Sequence, residues 1–132
     1  MPETISWSVD VTVTNGPSVT ESATLDVDAY DVITLTVPGA AATSTDTTRA
    51  TVQPSADTAL ELLLIRAHPY NELLTYTVVD GSADVVLDAP QLYVGQGVTA
   101  LGGTAPLRLD FKNGMGVGND AEITILAGRD AS

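Results

Sequence analysis

An all-β fold is what this sequence predicts: a single antiparallel β-sandwich of jelly-roll type, with eight or nine short strands. Three observations predict it. Apolar residues alternate with polar ones at period two in several separate runs, turn residues recur at close spacing, and no segment carries a clear 3.6-residue apolar stripe. The length of 132 residues suits one domain spanning 1–132, and 44% hydrophobic residues provide the core that separates it from a disordered chain.

The first strand is the clearest. Ile5, Trp7, Val9, Val11 and Val13 alternate with Thr4, Ser6, Ser8, Asp10, Thr12 and Thr14, which buries one face and wets the other. On that alternation Trp7 is a core residue. Asn15-Gly16-Pro17 turns the chain. Val19, Ala23, Leu25 and Val27, spaced by Thr20, Ser22, Thr24 and Asp26, then return it as the second half of an antiparallel hairpin. After Asp28-Ala29-Tyr30-Asp31 a third strand sets Ile33, Leu35 and Val37 on one face and Thr34 and Thr36 on the other, and Pro38-Gly39 stops it. Residues 40–48 have neither periodicity nor large anchors and form an exposed loop, followed by a short strand at 49–53.

The segment 57–67 admits two readings. Asp57 could cap a helix that its Ala, Leu and Glu residues favour. However, Leu60 through Ile65 is nearly all apolar, and an eleven-residue helix apolar on every side needs burial all round. A buried strand is the better reading, with the helix as alternative. Strand patterns return at 73–79, at 83–87 after Asp80-Gly81, and at 91–99, where Tyr93 and Val94 are anchors. Leu107, Leu109 and Phe111 alternate with Arg108, Asp110 and Lys112, and a Gly-rich tract from Asn113 to Asp120 leads into a last strand at 121–127.

The inventory for catalysis is thin. His68 is the sole histidine and there is no cysteine, so thiolate chemistry is excluded and a zinc site lacks ligands. No Gly-x-Ser-x-Gly elbow supplies a nucleophile, and no Asp-Thr-Gly or Asp-Ser-Gly turn supplies a paired carboxylate. The tract 114–118 resembles a phosphate loop in glycine content alone, because it opens a strand and lacks the Lys-Ser/Thr pair. The one metal candidate is a weak Ca²⁺ site at Asp26, Asp28 and Asp31, against the plainer reading of a solvated acidic turn. No cofactor is expected.

The surface is more informative. With 17 acidic against 5 basic residues the formal charge is −12, which excludes binding to nucleic-acid phosphates or to anionic membranes. Solvent-facing strand positions carry hydroxyls, 18 Thr and 8 Ser, and Lys112 is the single lysine. Isolated sandwiches blunt their edges with charge, lysine above all. A weakly charged, hydroxyl-rich surface therefore points to edges and faces covered by other subunits, although a high-GC genome yields a similar composition. The N-terminus lacks the basic and apolar regions of a secretory signal, and no apolar run reaches the length of a membrane span.

The stretches Leu-Leu-Leu-Ile-Arg-Ala at 62–67, Leu-Leu-Thr-Tyr-Thr-Val at 73–78, Leu-Arg-Leu-Asp-Phe-Lys-Asn at 107–113 and Ala-Glu-Ile-Thr-Ile-Leu-Ala-Gly-Arg-Asp at 121–130 resemble those of small all-β structural proteins of tailed bacteriophages. The resemblance covers about half of the chain and is one of style. It implies a non-enzymatic virion component, a capsid decoration or cement protein made in the host cytoplasm that oligomerises on the phage head and stabilises it. The implied partners are further copies of itself, as a trimer, and a major capsid protein. Contacts are then expected at Pro2, Ile5 and Trp7, at Thr43 and Thr45, at His68 and Tyr70, and at Met115 and Val117. Two alternatives remain: a tail-tube or tail-accessory subunit, and a soluble carbohydrate- or ligand-binding sandwich, for which Tyr30, Tyr70 and Tyr93 are the available rings.

Overall fold

The structure, a computed structural model, describes residues 3–52, 58–78, 84–94 and 108–131. Pro2, Asp57, the Asp80-Gly81 turn and the second half of the 91–99 strand lie outside the described residues. Within them are ten strands, all paired antiparallel, and no helix: β1 (Glu3–Thr12), β2 (Ser18–Val27), β3 (Ala29–Val37), β4 (Thr48–Thr51), β5 (Thr58–His68), β6 (Leu74–Val78), β7 (Asp84–Val86), β8 (Gln91–Val94), β9 (Arg108–Asn113) and β10 (Ala121–Ala131). The segment beginning near residue 57 is thus a strand, as its unbroken apolar run suggests.

The strands form three sheets. Two have four strands each, in the orders β3-β10-β5-β8 and β4-β9-β6-β7, and the third is the β1-β2 hairpin alone. The all-β antiparallel expectation holds, but the expected single sandwich needs correction, because the N-terminal hairpin joins neither larger sheet. From β3 onward the pairings are nested: β3 with β10, β4 with β9, β5 with β8, β6 with β7. The β10–β5 and β9–β6 pairs join these into the two sheets.

Period two explains the core. Val37, Ile65, Ala67, Ile123, Ile125 and Ala127 turn inward from one sheet and Ala50, Leu74, Tyr76, Val78, Leu109 and Phe111 from the other, forming one buried cluster. The Tyr76 and Phe111 rings meet at 5.5 Å. The register of β5 against β10 shifts between Gly128 and Arg129, so Glu61 has no partner and both Leu60 and Leu63 face the core. At that end the Arg129 guanidinium donates to Asp31 Oδ2 at 2.6 Å and to the Val52 carbonyl at 3.3 Å, tying the sheets together.

The hairpin pairs one-to-one from Glu3↔Val27 to Thr12↔Ser18. Its turn places Asn15 at φ 58°, a left-handed conformation that Asn tolerates. Beyond the base both strands are exposed: Val11 keeps 55% and Val19 65% of its surface. Trp7, expected in the core, is half-buried on this hairpin and absent from the core cluster. The alternation was read correctly, but among the described residues no second sheet covers that face.

Candidate functional site

The topology gives the molecule two distinct ends. At one, the loops 38–47, 69–73 and 114–120 are knitted together. The Ala40 N–H donates to the Asn113 carbonyl (3.0 Å), the Gly116 N–H to the Ala40 carbonyl (2.9 Å) and the Gly114 N–H to the Leu73 carbonyl (3.0 Å). Buried Asn113 donates from Nδ2 to the carbonyls of Val37 and Asn119. Gly39 packs so closely here that an added Cβ would lie 2.1 Å from the Gly116 carbonyl oxygen. This end gathers most of the expected contact residues: Thr43, Thr45 and His68 exposed, Tyr70 and Met115 packed against the core, and Val117 89% exposed.

Beside it, Arg66, His68, Tyr70, Glu122 and Thr124 line a groove of about 330 Å³. Glu122 stands opposite His68 in register, yet no hydrogen bond joins these side chains among the described residues. The groove offers an imidazole, a carboxylate and a guanidinium without a relayed nucleophile.

At the other end is the hairpin, which carries Ile5 and Trp7. The structure therefore separates the expected contact residues into two sites. It also separates the calcium candidates. Asp26 accepts from the Thr4 hydroxyl on the hairpin (3.0 Å), Asp31 is bound by Arg129, and the Asp28 N–H donates to the Arg129 carbonyl. Among the described residues no three His, Cys, Asp or Glu side chains are placed to hold a metal.

The hairpin has two unlike faces. One pairs Thr4 with Asp26, Ser6 with Thr24, Ser8 with Ser22, Asp10 with Thr20 and Thr12 with Ser18, all hydroxyls and carboxylates. The other pairs Glu3 with Val27, Ile5 with Leu25, Trp7 with Ala23, Val9 with Glu21 and Val11 with Val19, so beyond Glu3 at the base Glu21 is the one charge on an otherwise apolar stretch. The base of this stripe is anchored. Gly128 lacks a Cβ where Ile5 Cδ1 would stand 2.8 Å away and Val27 Cγ1 3.3 Å away, and Leu62 closes the same spot. Val27 and Leu62 are accordingly buried although neither belongs to the main core.

That spot lies on the outer face of the β3-β10-β5-β8 sheet, and this face is apolar over half its length. Register sets Val32, Leu126, Leu64 and Leu92 in one row across all four strands, and Tyr30, Gly128, Leu62 and Val94 in the next. A third row carries Thr34, Thr124 and Arg66. Of these outer residues Tyr30 was singled out from sequence as a ligand-binding ring and Val94 as a strand anchor, and the Val32–Leu126–Leu64–Leu92 row was missed, although a signal was there: β5 is apolar at odd and even positions alike, which marks a strand covered on both faces. Comparisons with family models, with curated proteins and with solved structures returned no match.

Proposed function

We propose that this chain is a non-enzymatic structural subunit of a tailed-phage virion, a capsid decoration protein that oligomerises on the head and braces it. The observation that carries the reading is the hairpin arm. Two-stranded ribbons are marginal in water by themselves, and this one holds ten residue pairs with an apolar stripe left half exposed beyond its base. Such a device fits assembly better than catalysis. The nested strand order supports reading the eight-stranded body as a jelly roll, an architecture shared by viral capsid and lectin domains.

The lectin-like alternative has less support. Tyr76 and Phe111 are buried, Tyr93 turns toward Tyr76, and Tyr30 and Tyr70 lie at opposite ends of the body. These rings form no common platform for a sugar. Within the proposed role the loop end meets the shell protein and the arm meets neighbouring copies, with three copies around a local three-fold axis closing the set. Purified heads heated with and without the protein test the proposal. Decorated heads should rupture at higher temperature, and equal rupture temperatures would overturn the bracing role.

A further inference from the structure

We infer that the hairpin arm of one copy lies on the outer face of the β3-β10-β5-β8 sheet of a second copy, its stripe over the Val32–Leu126–Leu64 row and its Glu21 on Arg66. The inference rests on the assembly role proposed above and gives that role its partner surface.

Geometry comes first. Ile5 and Val27 turn the apolar side of the hairpin onto Gly128 and Leu62 of its own sheet. The stripe continues on that side through Trp7, Val9 and Val11, and beyond the base Val9, Val11 and Val19 stand exposed. A second sheet set end to end with the first therefore presents its outer face to the same side of the arm. The near half of the arm covers its own chain and the far half covers the neighbour.

Charge is the second argument. The molecule has five cationic side chains. Arg49 is held by Asp110 and Arg129 by Asp31, while Arg108 and Lys112 are half-buried on β9 of the other sheet. Arg66 is exposed on the outer face, one row beyond Leu64, and makes no ion pair among the described residues. Glu21 is the one charge on the far half of the apolar stripe, opposite Val9. The stripe thus carries an anion where the receiving face carries a cation; of the other hairpin carboxylates, Asp10 and Asp26 point away on the hydroxyl face and Glu3 stands at the base of the arm opposite Val27.

Area decides between this arrangement and a simple pairing of two arms. The far half of the arm, about five residues per strand at about 3.4 Å on a ribbon about 10 Å wide, gives an apolar face of roughly 170 Å². Two far halves stacked on each other would bury about 340 Å² in total, far below the roughly 1,200 Å² of stable interfaces. Arms exchanged onto neighbouring sheets double that to about 700 Å², the size of a weak, concentration-dependent contact. In a closed ring every arm is seated and every sheet face covered.

Sedimentation velocity on the full-length protein, without shells, tests the inference through a charge swap. Glu21→Arg and Arg66→Glu should each raise the concentration of half-assembly about tenfold, and the double variant should return it to within about threefold of wild type. Far-UV circular dichroism and thermal melts check that each variant keeps the body folded. As both substitutions are on exposed strand positions, unchanged melts are expected. A monomeric wild-type protein, single variants that assemble normally, or a double variant no better than the singles would overturn the inference. A protein that assembles in this way yet leaves heads no more heat-resistant would sink the capsid role alone. A protein that protects heads as a monomer would sink the arm exchange alone.

Discussion

The Tyr76 hydroxyl reaches from the β4-β9-β6-β7 sheet to the opposite one, donating to Gln91 Oε1, while the Gln91 amide donates to the Val86 carbonyl. Burial, with Tyr93 beside it, holds the phenol protonated well above the ordinary tyrosine value of about 10. The unfolded chain ionises this phenol near pH 10 while the folded chain retains the proton. The contribution of Tyr76 to stability is therefore fully present below about pH 10 and is lost progressively above it. Tyr76→Phe should cost about 1 kcal/mol at neutral pH through the lost hydrogen bond, and should flatten the decline above about pH 10. Denaturant melts at about pH 7 and about pH 11 measure both effects, and a variant whose alkaline decline matches wild type would assign that decline elsewhere. Little of this could be read from the chain. The strand pattern marks Tyr76 as lying in a strand, but its polar partners sit 15 and 17 residues away on another sheet.

Among the elements, those carrying their own period were legible. β1, β2, β3 and β9 were each indicated by alternation, and β5 by its continuous run. Alternation states that one face of a strand is apolar, and it is silent on what covers that face. Hence Trp7 was assigned to the core when its strand belongs to a two-stranded arm, and the outward row containing Leu64 and Leu126 went unnoticed within strands already explained by their inward residues. The arm's attachment turns on Gly128, which makes room for Ile5 and Val27. A glycine inside a strand signals a close approach, but not by which partner. Gly128→Val should displace Ile5 and loosen the base of the hairpin. Hydrogen exchange should then accelerate throughout β1 and β2 by about tenfold or more, because an undocked ribbon is marginal, while protection in β5 and β10 away from position 128 changes little. Equal loss of protection in arm and body would show that the hairpin is an integral layer of the fold.

For the whole molecule, the charge of −12 and the arm set opposing demands. Copies of so acidic a chain repel at long range, and this repulsion is screened beyond about 8 Å at physiological ionic strength. The surfaces assigned to contact are nearly uncharged, apart from the single Glu21–Arg66 pair. An exposed pair of that kind contributes under about 1 kcal/mol, and salt weakens it. Screening the general repulsion outweighs that loss, so self-assembly should tighten between about 0.05 and about 0.5 M salt. Sulfate should tighten it further than chloride at equal ionic strength, since excluded anions strengthen apolar burial. Sedimentation across such a series measures the sign directly. Assembly that weakens as chloride rises would mean that opposite charges dominate the contact. In that case the acidic surface, and not the apolar stripe, would be the part of this molecule that finds its partner.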